Sequence, residues 1–168
     1  MYKFNDYFNA KNSTIRLLND YYKYGDLIVA FDFDNTIFNY NGAADRTFFD
    51  VTHLLQECSA LGFTMVLFTA NEDEDKLNFC RTYCRSNEIR IDYINESPVM
   101  NTRKPYYNIL LDDRAGLEEA YGILKFVVEM IKDLIALDSP IAIKDKDSYT
   151  PRAAAVLEEA QVQAIRFG

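Results

Sequence analysis

The sequence has no tryptophan, only one histidine and three cysteines, and too little positive charge to balance its acids. Its 18 Lys and Arg stand against 26 Asp and Glu, a formal net charge of −8 in 168 residues. The sequence pI is about 4.7. A chain this acidic does not hold nucleic acid by general electrostatics, because phosphate backbones are bound by basic surfaces. No apolar stretch approaches the ~20 residues that span a bilayer, and the start, MYKFNDYFNAK, is too polar for a signal peptide. Neither a membrane nor a nucleic acid is an expected partner, and the expected location is the cytoplasm. The cysteines, Cys58, Cys80 and Cys84, suit a reducing compartment. Cys80 and Cys84 lie one helical turn apart and read as small buried hydrophobes, not as metal ligands. There is no internal repeat and no low-complexity tract.

What is present is 49% hydrophobic residues, with 12 Tyr and 12 Phe, enough for one domain with a sizeable core. Residues 6–24 read as a helix with Ile15, Leu17, Leu18, Tyr21 and Tyr22 on its apolar face and Gly25 as its stop. Residues 27–33 read as a buried strand, followed by the polar loop NYNGAAD. Asp45 is a candidate cap for a helix over 46–61, where Phe48, Val51, Leu54, Leu55, Cys58 and Leu61 recur at helical spacing and Gly62 follows. FTMVLFT, 63–69, is a second strand. NEDED opens a helix over 72–86, where acids complement the helix dipole. IRIDYIN, 89–95, reads as a third strand, NILLDD, 108–113, as a fourth, and 115–137 as a long amphipathic helix. Strands alternating with helices predict an α/β fold, a Rossmann-like parallel sheet flanked by helices. Residues 1–137 form the expected domain, 138–150 a linker with a short edge strand at 141–143, and 151–168 a C-terminal helix with Thr150 as cap and Pro151 at its first position.

In open parallel sheets ligands sit at the carboxyl ends of the strands. Asp32 and Asp34 end the first strand, Thr69 the second, and Asp112 and Asp113 the fourth, with Lys104 in the loop before it. Solvated loop acids would have no need to follow separate apolar strands. Four carboxylates in one crevice repel each other and persist cheaply only if a cation neutralises them, and hard oxygen ligands suit Mg²⁺. Lys104 and the Thr69 hydroxyl would then offer charge and a donor to a phosphate, and a carboxylate stands ready to attack phosphorus.

At this point the sequence resembles a family. DFDNT, 32–36, matches the DxDxT motif of the haloacid dehalogenase superfamily of phosphatases. MVLFT resembles its second motif, Lys104 falls where its third places a lysine, and ILLDD resembles its fourth. The resemblance covers residues 27–114 and keeps the motifs in order. It implies that Asp32 is the nucleophile, that Asp34 protonates the leaving group and then activates water, and that Thr36 supports the turn between them. Thr69 and Lys104 would hold the phosphoryl oxygens. Mg²⁺ would be bound by Asp32, the backbone carbonyl of Asp34, and Asp112 with or without Asp113. Receiver domains also use Asp, Thr and Lys around Mg²⁺, but there the paired acids come first, the opposite of this order.

Superfamily cap domains enter after the first motif or between the second and third. Neither interval has room here for more than a short flap or one helix and one strand, so the chain resembles a capless member. Small capless members from phages and bacteria carry a similar fourth motif, IDDR, against Leu111–Arg114, and a similar end of strand three, against Ile94–Asn95; a phage origin would make the location the host cytoplasm. Specificity would come from short loops, with Thr36, Asn71, Asn95 and Arg103 as candidate substrate contacts, together with Tyr40 and Arg114. His53 sits mid-helix, away from the strand ends. The segment YTPRAAAVLEEAQVQAIRFG resembles the opening helix of the N-terminal domain of Clp-type unfoldases, although a docking or oligomerising helix explains it as well. The expectation is a Mg²⁺-dependent phosphomonoester hydrolase for a small metabolite or nucleotide, with terminal helices available for a homo-oligomer. The alternatives are a polynucleotide-end 3′-phosphatase and a non-catalytic adaptor that works through its terminal helices.

Overall fold

The computed structural model describes residues 9–42, 46–99 and 104–137. They fall into two compact units: Leu27–Gly122, and a second built from the residues up to Asp26 and from Ile123 onward. The expected linker at 138–150 with its edge strand, the C-terminal helix at 151–168, the Asp45 cap and Arg103 lie outside the described residues.

The sheet belongs to Leu27–Gly122. Its strands are β1 (Ile28–Phe31), β2 (Thr64–Leu67), β3 (Tyr93–Ile94) and β4 (Ile109–Leu111), in the order β3-β2-β1-β4. Every pairing is parallel, with Ala30 opposite both Val66 and Leu110. This is an open Rossmann-like α/β arrangement, and it follows from sequence. All four residues of β1 are buried, the near-continuous apolar run expected of a strand covered on both faces. Ile28, Ala30 and Val66 form a cluster on one face with Phe68, Tyr107 and Leu110 packed against it. Each large aliphatic or aromatic side chain taken fully out of water contributes roughly 1.5–3 kcal/mol, so β1 and β2 are the part of this unit hardest to displace.

Helix α2 (Arg46–Ala60) buries Val51, Leu54, Leu55 and Cys58, the i, i+3, i+4, i+7 stripe anticipated from sequence. It stops at Gly62, whose φ of +81° suits a residue without Cβ, and the next N–H, of Phe63, donates to the Cys58 carbonyl. Helix α3 (Glu74–Ser86) is capped by Asp73, whose side chain accepts from the Lys76 N–H, so the NEDED run is indeed a helix start. Helix α4 (Leu117–Ala136) begins in this unit.

The third strand is shorter than its sequence suggests. Ile89 and Arg90 do not join the ladder, because the Ile89 N–H donates to the Cys84 carbonyl and the Arg90 N–H to the Ser59 hydroxyl. Asp92 spends its backbone and side chain on Met65, accepting the Met65 N–H at 2.8 Å. Only Tyr93 and Ile94 remain as a strand.

In the other unit, α1 (Ala10–Tyr24) is capped by Asn9 and ends at Gly25 (φ +69°), whose N–H donates to the Tyr21 carbonyl. Leu17, Leu18 and Tyr21 are buried, as are Leu124, Val127, Val128, Ile131 and Leu134 of α4. Among the described residues no helix is long and apolar enough to cross a membrane.

Candidate active site

Three parallel-ladder bonds run past the ends of the strands and bring the loop residues into register. The Asp32 N–H donates to the Leu111 carbonyl (2.9 Å), the Phe68 N–H to Phe31 (2.8 Å) and the Asn95 N–H to Leu67 (2.9 Å). Asp32 is thereby set beside Asp112, and Thr69 beside Asn95. The result is a crevice of about 460 Å³ lined by Asp32, Asp34, Thr69, Asn95, Asp112 and Asp113, with Phe68, Ala70, Asn35 and Arg114 completing it.

Asp32, Asp112 and Asp113 each offer a carboxylate oxygen, and the three oxygens lie within 4.8 Å of one another. Oxygens bound to one octahedral Mg²⁺ at about 2.0–2.1 Å stand about 2.9 Å apart when adjacent and about 4.2 Å apart when opposite, so side-chain rotations that draw the three together would let them share one ion. The donor set is all hard oxygen, which fits Mg²⁺ and not a soft thiophilic metal. The electrostatics agree. The Asp32 carboxyl is pushed up from the ordinary 3.8 to about 6, first by burial and further by Asp112 and Asp113; the Phe33 N–H and the Thr36 hydroxyl pull it down. A cation among these oxygens would relieve that repulsion. Cys80 and Cys84 are buried free thiols, pushed up to about 11 and about 12 chiefly by burial, so they stay protonated at neutral pH.

Thr36 sits at the junction of the two acidic strand ends. It is fully buried; its hydroxyl donates to Asp32 Oδ2 (3.2 Å) and accepts the Asp113 N–H (3.1 Å). The expectation that Thr36 touches substrate is therefore corrected: it positions Asp32 and the Asp113 backbone, and has no surface left for a ligand. A hydroxyl followed directly by the apolar pair Ile37–Phe38 is the sequence signal for such a role, since a buried hydroxyl needs partners.

The turn after β1 is held from two sides. Asn35 adopts φ +63°, a conformation Asn tolerates better than most residues, and its N–H donates to the Phe38 carbonyl (2.7 Å). Phe33 stacks on Phe38 with centroids 5.4 Å apart, and both meet Phe79 and Tyr83 of α3 edge-on. The Tyr83 hydroxyl donates to the Ile37 carbonyl (3.0 Å). Asp34 thus rides on a turn clamped to a helix.

Asn71 ties Asp34 to Thr69. Its Nδ2 donates to Asp34 Oδ2 (3.3 Å) and to Thr69 Oγ1 (3.0 Å), and its backbone N–H also donates to Thr69 Oγ1 (3.2 Å). A hydroxyl has two acceptor lone pairs and one donor. With Asn71 taking both lone pairs, Thr69 keeps its O–H to donate into the crevice. Asn95, at φ +54°, spans the Thr69 backbone: Oδ1 accepts its N–H (2.8 Å) and Nδ2 donates to its carbonyl (2.7 Å). Its carboxamide is committed to holding Thr69, a part that sequence did not reveal.

The remaining candidates separate from this group. Lys104 is exposed and does not line the crevice; Arg114 does. Tyr40 is 69% exposed and outside it. His53 is exposed on α2, stacked on Phe49.

No family model matches the chain, and no curated protein matches it. A solved structure of a conserved protein from Bacteroides thetaiotaomicron is similar at 22% sequence identity, with a TM-score of 0.48, over 64% of this chain and 91% of that one.

Proposed function

We propose that the chain is a Mg²⁺-dependent phosphomonoester hydrolase of haloacid dehalogenase type, acting on a small phosphorylated metabolite or nucleotide through an aspartyl-phosphate on Asp32. The observation that carries this reading is the meeting of Asp32, Asp112 and Asp113 within 4.8 Å, beside a second acid, Asp34, at the mouth of the same crevice. A structural ion pair would need a cation, and no salt bridge among the described residues joins these acids to one.

Bound Mg²⁺, held by Asp32, Asp112 and Asp113 with the Asp34 carbonyl, would neutralise the acids and polarise the phosphoryl group. The Asp32 carboxylate attacks phosphorus and the bond to the leaving oxygen breaks. Asp34 gives that oxygen its proton, then takes a proton from water, whose oxygen attacks the phosphorus of the aspartyl-phosphate and releases phosphate. Asn71 keeps Asp34 turned toward the crevice and Thr69 donates to a phosphoryl oxygen. Thr36 fixes the rotation of the nucleophile, so that its oxygen is already oriented toward phosphorus. The chain resembles a capless member, in which short loops would set the substrate's size.

A panel of phosphorylated metabolites, nucleotides and p-nitrophenyl phosphate, assayed for phosphate release with Mg²⁺ and with EDTA, tests the proposal. Release with Mg²⁺ and none with EDTA is expected. No release from any substrate, with no phosphate trapped on Asp32, would defeat it and favour the adaptor reading; release only from 3′-phosphorylated oligonucleotides would replace the substrate class.

A further inference from the structure

The acids of the crevice leave an electrostatic deficit that one metal does not close. With Asp34 entering as the proton donor, a divalent cation offsets two of the three remaining carboxylates, and a phosphoryl dianion brings two negative charges back. A second cation is required at the phosphoryl group. By sequence that cation is Lys104, but Lys104 does not line the crevice. Arg114 does, and it is the sole cation among the described residues that line it.

Arg114 is placed by its backbone. Its N–H donates to Asp112 Oδ1 (2.8 Å), and the preceding Asp113 N–H is held by buried Thr36. Its side chain leaves a fixed point next to two candidate metal ligands. Yet among the described residues its guanidinium forms no ion pair with the neighbouring acids, unlike Arg81 with Glu74 or Arg90 with Asp92. A guanidinium on a residue that lines this acidic crevice, and that pairs with none of its acids, is available to a ligand. Its planar fork matches two phosphoryl oxygens at once, which an ammonium does not.

We infer that Arg114, with the Thr69 hydroxyl, clamps the phosphoryl oxygens and fills the role that sequence assigns to Lys104. The inference rests on the phosphatase reading above and specifies how that site takes its anion.

Binding of orthovanadate and inorganic phosphate in the presence of Mg²⁺, followed by calorimetry, tests it without turnover. Arg114→Ala is expected to weaken both anions by 10- to 100-fold while Mg²⁺ affinity stays the same or rises, since a positive charge leaves the neighbourhood. Arg114→Lys restores charge without the fork and should recover part of the loss. In kinetics the defect appears mainly in KM. Anion binding by Arg114→Ala equal to wild type, or a loss carried by Lys104→Ala instead, overturns the assignment and leaves the phosphatase reading standing. Wild-type protein that binds Mg²⁺ but neither anion overturns the phosphatase reading itself.

Discussion

Replacing Asp32 by Asn should abolish turnover and yet stabilise the metal-free protein. The amide keeps the shape and can still accept from the Thr36 hydroxyl, but it removes the charge that burial, Asp112 and Asp113 oppose. The shift from 3.8 to about 6 corresponds, at full strength, to about 3 kcal/mol at neutral pH. Asp32 is only half-buried, so screening by water cuts this to about 1–2 kcal/mol. The sign follows from linkage. An acid whose folded-state value is raised carries no penalty below about pH 4; the cost builds as pH rises from about 4 to about 6 and is full above that. The mutant should therefore match wild type near pH 3.5 and exceed it by about 1–2 kcal/mol at pH 7.5, or about 3–6 °C in Tm for a chain of this size. Saturating Mg²⁺ should reverse the order, because a ligand at 100 times its Kd adds about 2.7 kcal/mol to the wild type alone. Thermal and urea melts in EDTA and in Mg²⁺, at several pH values between 3.5 and 8, provide the assay. A mutant less stable than wild type in EDTA at pH 7.5, or a difference that ignores pH, would refute the electrostatic argument. Activity within tenfold of wild type would remove Asp32 as nucleophile.

Asp34→Asn should give a stoichiometric burst of nitrophenol from p-nitrophenyl phosphate, then slow turnover with one phosphoryl group added to the protein mass; the good leaving group needs no proton, but hydrolysis loses general-base help worth typically 10²–10⁴-fold. Steady turnover without a phosphorylated species would count against that role. Thr36→Val, which leaves the Asp113 N–H and Asp32 without their shared partner, should lower stability by about 1–3 kcal/mol and Mg²⁺ affinity by 10-fold or more, with Thr36→Ser recovering most of both. Unchanged metal affinity would show that the two strand ends are independent. Asn95→Ala should cost about 1 kcal/mol more than Asn95→Gly, because Ala must hold φ near +54° while Gly does so freely, and both should lower kcat by loosening Thr69; equal melting points would contradict the conformational part.

The strands were legible wherever an apolar run ended in a polar residue, because burial on both faces leaves little choice of element. Val29 to Phe31 and Met65 to Leu67 are read directly that way. The alternation of Ile89, Ile91 and Tyr93 points to a longer strand than exists, since it says nothing about where backbone donors go. The grouping of Asp32 with Asp112 and Asp113 was legible from topology alone: parallel strands place their carboxyl ends together. The supports were not. The Thr36 bond to Asp113 joins residues 77 positions apart, and the Asn95 bonds to Thr69 cross 26, so neither has a local signature. The Lys104 side chain sits on a loop whose path no periodicity describes, and its exclusion from the crevice was invisible for that reason.

The brevity of β3 bears on how the chain behaves in crowded solution. It is an outer strand of the sheet, and outer strands present unsatisfied backbone groups to which foreign strands add. Here that template is two residues long. The residues before it have already spent their N–H groups on α2 and α3, and Arg90, paired with Asp92, sets charge against the approach of another sheet. A partner strand would gain too few hydrogen bonds to offset its own ordering. Truncating the ladder on this side thus works as a guard against edge-to-edge polymerisation, and substitutions that extend β3 back through Ile89 should show their first effect as loss of solubility on concentration, before any loss of folding.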